Sequence, residues 1–205
     1  MTYIVRMTTS RNHDREAALD AGLDLFWRRG FHATSMKDLE HATGMHPGSI
    51  YAAFGSKQGF YDAALTRYAH TITKDMRTAI AAGETPLEGL AAFVRSIGEG
   101  AGDPRRSCML VKTLLEQGEG DAMLYDSGEA GSAAIENVIR EMLQAEKASG
   151  ALPAALDPVL AAQRIQLNIM GLRTFACRAV PRETITALAG QLADEILALA
   201  VANAA

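Results

Sequence analysis

Apolar residues recur at helical spacing along nearly all of this 205-residue chain. Ala18, Ala21, Gly22, Leu25 and Phe26 stand at i, i+3, i+4, i+7 and i+8, which predicts a helix from about Asn12 to Arg29. Gly30 supplies the left-handed residue that ends such a helix and lets Phe31 fold back on Phe26. Two short helices follow. Thr34 or Ser35 caps the first, with Asp38 in capping-box position three residues after Ser35, and Met36, Leu39 and Ala42 form its apolar stripe. Gly44 closes it, Pro47 suits the first turn of the next, and Ile50 and Phe54, four apart, face back toward the first helix. Pro47, Gly48, Ser49 and Tyr51 are left toward the open side, which is the layout of a recognition helix.

After Gly55, Ser56 caps a long helix running to about Ala82. Thr85, Pro86 and Glu88 make a second capping box, and the helix it opens is closed by the glycines at 98–103. Further helices are predicted from Asp103 and Pro104 through Cys108 to about Gln117, then through Ile135, Val138, Ile139, Met142 and Leu143 to Gly150. Two more run from Asp157 and Pro158 to about Val180, and beyond Pro181 through Ile185, Leu188, Leu192, Ile196 and Leu199. No strand signal, internal repeat or low-complexity tract interrupts the series. The reading is an all-α chain: a flexible N-terminal arm at 1–11, a three-helix helix-turn-helix DNA-binding domain at 12–60, and a larger helical dimerisation domain at 61–205. Arg6 and Arg11 on the arm are available for phosphates or the minor groove.

Composition narrows the class. An apolar share of 48% is ample for a core, no apolar run approaches the roughly 20 residues of a membrane span, and no signal segment opens the chain, so a cytoplasmic protein is expected. Cys108 and Cys177 are far apart and without metal-ligand spacing, so no metal, cofactor or disulfide is indicated. The net charge of −4 is unevenly placed: residues 1–60 carry seven Lys and Arg against six Asp and Glu, while 61–205 carry 13 against 18. Four of the five histidines, His13, His32, His41 and His46, also lie within residues 1–60. This distribution is compatible with a small DNA-facing module on an acidic body. Nucleophile-elbow, zincin and phosphate-loop signatures are missing, and His70 is the only histidine after residue 60, so no enzyme is expected and a Cys108–His70 pair could arise only through the fold.

Lys57, in the first turn of its helix, opposes the helix dipole; a phosphate held between the ammonium and the helix N-terminus would make that placement sensible. The last two helices are apolar on more than one face. Leu167, Met170, Leu188, Leu192, Ile196 and Leu199 are candidates for a two-fold, four-helix interface, with Gly171, Ala189, Gly190 and Ala193 permitting close approach. Such a homodimer would set two recognition helices about 34–36 Å apart, or a multiple of it. Met76, Phe93, Met109, Met123, Tyr125, Met170 and Phe175 are available either to core packing or to an apolar pocket.

The segment ALDAGLDLFWRRGFHATSMKDLEHATGMHPGSIYAAFGSKQGFYDAAL strongly resembles the DNA-binding domain of the TetR family of bacterial transcriptional regulators. The glycine after the first helix and the Ala-Thr-Gly, Gly-Ser-Ile-Tyr and Phe-Gly-Ser-Lys blocks fall at the family's spacings. The resemblance implies that Pro47, Gly48 and Ser49 enter the major groove of double-stranded operator DNA, that Tyr51 and Lys57 hold phosphates, and that Thr34 and Ser35 meet the backbone. Because Gly48 and Ser49 are too small for bidentate base contacts, Lys37 and His46 are candidates for further readout. It also implies a repressor released by an unknown small-molecule or electrophile effector bound in the helical domain at 61–205. The word SCMLVKTLLE resembles one found, with Gly in place of Ser107, in a branch that includes a repressor responding to N-ethylmaleimide and other electrophiles. Cys108 and Lys112 share a helical face near Arg105 and Arg106, so Cys108 stands open as a reactive sensor or as a small core residue.

Overall fold

A computed structural model describes residues 3–100, 108–116 and 122–200, with side chains from Arg15 onward. Within them lie nine helices and no strand: α1 Tyr3–Arg29, α2 Met36–Thr43, α3 Pro47–Phe54, α4 Lys57–Ala82, α5 Pro86–Glu99, α6 Met109–Leu115, α7 Ala122–Ser149, α8 Pro158–Phe175 and α9 Arg182–Leu197. Helix α1 begins at Tyr3, so the stretch expected as a loose arm from residue 3 to 11 is helical backbone instead. The reason is local: no glycine or proline stands between Tyr3 and Ala21 to interrupt the helix. The side chains of Arg6 and Arg11 lie outside the described residues, as do Arg105 and Arg106.

Gly30 leaves α1 at φ 83°, and Phe31 stacks on Phe26 with ring centroids 6.4 Å apart. Around this pair Phe54, Phe60 and Tyr61 close an aromatic core, Phe60 lying 6.0 Å from Phe26 and 4.1 Å from Phe54. The α1–α4 crossing is tight because Gly22 has no side chain: a Cβ there would come within 2.1 Å of the Phe60 ring. Helix α4 then carries the chain out of the N-terminal helices and packs along α5 and α7.

The C-terminal helices bury Leu90, Val94, Ile139, Leu143 and Ala162 in one continuous core with α4. Here the small residues divide their work. Ala189 and Ala193 are fully buried against α5, where Gly98 lies so close that a Cβ on it would meet Ala189 Cβ at 2.7 Å. Gly171 and Gly190, in contrast, have no atom near their missing Cβ positions. The four-residue stripe expected to serve close approach between copies is therefore partly an internal α5–α9 seam. Ile196 is likewise core, so it is removed from the candidate interface, while Leu167 stands 69% exposed. Helix α8 stops at Phe175, five residues short of the expected end, in a turn before Pro181.

Candidate nucleic-acid interface

Helices α2 and α3 are locked by a cap, a turn and two buried residues. Ser35 caps α2: its Oγ accepts Asp38 N–H at 3.2 Å while the Asp38 carboxylate accepts Ser35 N–H at 2.9 Å. The Ser35 hydroxyl, which also donates to the Asp38 carboxylate at 2.6 Å, and then the Ser35 N–H hold the Asp38 carboxyl below its usual range, helped by Arg29 at 2.7 Å, which ties the end of α1 to α2. Gly44, at φ 67°, returns its N–H to Glu40 O, and His46 begins α3 with Pro47 as first helical residue. Leu39 and Ile50 are fully buried and fix the angle between the two helices. Ala42, expected on the apolar stripe, is exposed.

The opposite face presents Ser35, Lys37, His46, Pro47, Gly48, Ser49 and Tyr51, all exposed. The absence of a side chain at Gly48 serves no internal packing, since a Cβ there would meet nothing within 4 Å. It keeps the first turn of α3 low, so that backbone can approach a surface closely.

Two residues expected at this face are turned to other work. Thr34 is only 1% exposed, and its Oγ1 donates to Gly30 O at 2.6 Å, closing the α1–α2 loop from inside. Ser35 alone is the cap. Lys57 reaches back rather than out: Nζ donates to Phe31 O and to Thr34 O, each at 2.9 Å, and lies 4.1 Å from the Phe31 ring centroid. The carbonyls of the preceding loop offset the conflict with the dipole of α4.

The same loop is gripped from the other side by α6. Phe31 N–H donates to Glu116 Oε2 at 2.9 Å, and His32 Nε2 lies 3.0 Å from Glu116 O. Gly30 makes room, because a Cβ there would fall 2.3 Å from Glu116 Oε1. Lys112 donates to Trp27 O at 2.7 Å in the last turn of α1, with Glu116 Oε1 3.6 Å away. Thr113 gives its proton to Met109 O, so Tyr61 donates to Thr113 Oγ1 at 2.7 Å. Burial pushes the Tyr61 phenol up to about 12, which keeps it a neutral donor. Sequence spacing could not reveal Glu116 or Tyr61 in these roles, for both contacts are between residues distant in the chain.

Cys108 stands immediately before α6, without a side-chain capping bond, and is 2% exposed. Its Sγ neighbour is Tyr68 Oη at 4.0 Å, and burial raises the Tyr68 phenol well above its ordinary value. His70 is exposed, so the Cys108–His70 pairing does not form. Among the other pocket candidates, Met76 and Met109 are core, whereas Met123 and Tyr125 are exposed.

Known proteins resemble this chain in sequence and fold. Residues 18–64 match the family described as bacterial regulatory proteins, tetR family. Over 182 residues the chain is 29% identical to the HTH-type transcriptional repressor ComR of Escherichia coli K12, covering 86% of each chain. Its structure is similar, with a TM-score of 0.77 and 28% identity, to the TetR family regulator CifR, a cysteine-substituted variant complexed with 26-base-pair operator DNA; 87% of this chain and 94% of that one are covered. A putative TetR transcriptional regulator from Rhodococcus sp. RHA1 is 30% identical with a TM-score of 0.59, covering 87% and 97%. No helix among the described residues is long and apolar enough to cross a membrane. With its capped helix-turn-helix, its all-helical C-terminal region and these relatives, the chain belongs to the TetR family of bacterial regulatory proteins and is a DNA-binding transcriptional regulator rather than an enzyme.

Proposed function

We propose that this regulator is a cytoplasmic repressor that binds a pseudo-palindromic operator as a homodimer and is released by a small molecule held among the helices of residues 61–205. The observation that carries the reading is the exposed face from Ser35 to Tyr51, whose small residues offer few base contacts per copy. Two copies would double them at a fixed spacing. The open surface of α8 and α9 supports the pairing: Leu167, Gly171, Leu188 and Leu192 line an unfilled groove of about 650 Å³, and Gly171 and Gly190 allow a partner helix to come close. Met170 and Leu199 lie half-buried beside the core, at the edge of that surface.

The effector need only bind the DNA-free arrangement more tightly than the DNA-bound one. Burial of Cys108 against Tyr68 favours a reversible ligand over an electrophile as the signal. Footprinting the protein on the DNA upstream of its own gene, with sedimentation of the complex, tests the proposal. A two-fold protected site bound by two chains is expected; protection by a single chain on one half-site would refute it. Complete maleimide modification of Cys108 that releases operator would instead favour the electrophile reading.

A further inference from the structure

An open groove of about 510 Å³ lies between α4, α5 and α8, within the size range of small-molecule sites. Ala79, Phe93 and Ile97 give it an apolar wall, and two opposite charges, Asp75 and Arg173, also line it. Among the described residues neither charged side chain takes part in an ion pair or a hydrogen bond, with the other or with anything else. Their settings differ. Asp75 is exposed and screened by solvent, whereas Arg173 is half-buried with its guanidinium donors unused. A guanidinium in that setting favours a carboxylate, which it can hold through two parallel hydrogen bonds. Asp75, on the same groove, disfavours a second negative charge on the ligand.

The groove also adjoins the path to the DNA-binding end. The charge of Arg173 acts on the Tyr68 hydroxyl, which sits 4.0 Å from Cys108 Sγ at the start of α6, and Trp27 lies edge-on to Tyr68 at 5.2 Å. Helix α6 ends at Leu115, directly before Glu116, the residue that holds Phe31 N–H.

We propose that this groove is the effector site and that it takes a monocarboxylate with a compact hydrocarbon body, the carboxylate on Arg173 and the hydrocarbon against Phe93, Ile97 and Ala79. The assignment rests on the reading of the chain as an effector-released repressor.

The test titrates the full-length protein by calorimetry, and by Trp27 fluorescence, with octanoate and 4-phenylbutanoate beside octan-1-ol and octylamine. At least one carboxylate is expected to bind with a Kd of about 1 mM or tighter, and the alcohol and amine about tenfold more weakly or worse. Arg173→Gln should weaken the carboxylate about tenfold or more, Arg173→Lys, which keeps the charge but not the two parallel hydrogen bonds, should fall between Arg173→Gln and the parent, and Arg178→Gln, whose guanidinium stacks on Phe175, should change nothing. Binding by neither carboxylate, or equal binding by octan-1-ol, overturns the site on the unaltered protein, whatever the variants do. Equal binding by a folded Arg173→Gln protein overturns it as well. Operator release is read separately. A carboxylate that binds at Arg173 without releasing operator leaves the site standing and removes its effector role. Failure of both carboxylates with operator binding intact removes the site and leaves the repressor reading.

Discussion

Glu116 Oε2 accepts the backbone N–H of Phe31 at 2.9 Å across 85 residues of chain, so the last turn of α6 holds the loop from which α2 departs. Replacing Glu116 by Ala leaves that part-buried N–H without its acceptor, at a cost of about 1–3 kcal/mol. Gly30→Ala should cost at least as much, since it places a Cβ at φ 83° and 2.3 Å from Glu116 Oε1. Urea unfolding of both variants should show the loss with unchanged slope. Operator affinity should fall with it, because α2 and α3 hang from this loop. A Glu116→Ala protein of full stability would mean that the contact carries no free energy.

Lys57→Ala should destabilise the fold by about 1–2 kcal/mol, because the ammonium ties two loop carbonyls together and covers the Phe31 ring. Lys37, exposed on the face of α2, is expected to behave in the opposite way: Lys37→Ala should leave unfolding unchanged and reduce the slope of log K against log salt by about one. Measuring both slopes and both unfolding midpoints separates the two lysines. A loss of slope in Lys57→Ala without loss of stability would return that residue to the phosphate contacts.

The helices themselves were legible because their ends are written in local chemistry. Ser35 with Asp38, Thr85 with Glu88, Ser56, Asp157, and the glycines at 30, 44 and 55 all stand where caps and left-handed residues are required. A residue's role is not legible locally where a distant partner decides it. Lys57 reads as an anion holder until Phe31 O and Thr34 O are brought beside it, and Thr34 reads as a surface cap until Gly30 O accepts its hydroxyl. Ala189 and Ala193 read as a face for a second copy until α5 occupies them. Glu116 had no local signal at all, since its partner is set by how α6 docks on α1.

Gly48 separates packing from recognition. Because nothing lies within 4 Å of its absent Cβ and its φ is not left-handed, Gly48→Leu should fold with unchanged or slightly raised stability. The added side chain then stands on the surface that approaches DNA, so operator affinity should drop by about tenfold or more. Electrophoretic mobility shift against calorimetric unfolding reads the two quantities independently. Unchanged affinity would place the first turn of α3 away from the duplex.

Acid should loosen α2 before it unfolds the core. The folded Asp38 carboxyl lies below its usual value of about 3.9 because Ser35 and then Arg29 favour its charged form. A depressed carboxyl contributes stability that is fully present above the unfolded value and is lost as pH falls through the folded one. Asp38→Asn should therefore be less stable than the parent at neutral pH, with the difference shrinking as the pH falls below about 3.9. Urea midpoints taken from pH 7 downward test this, and a difference that persists undiminished in acid would show that the carboxylate charge is not what holds the cap.

The α8–α9 surface can be tested without disturbing the core beneath it. Leu167 is 69% exposed and lines the groove with Gly171, Leu188 and Leu192, so a charge there costs the isolated chain little. Across a two-fold axis the same substitution acts twice, placing two desolvated carboxylates in an apolar seam. Leu167→Glu should thus sediment as a monomer at micromolar concentration, keep its helical circular dichroism, and bind a full operator no more tightly than a half-site. Ile196→Glu is the contrasting case: Ile196 is 4% exposed in the core, so its loss should unfold the C-terminal helices rather than separate a pair of folded chains. A Leu167→Glu protein that stays dimeric, with Ile196→Glu behaving as stated, would move the interface to another face of the helical bundle.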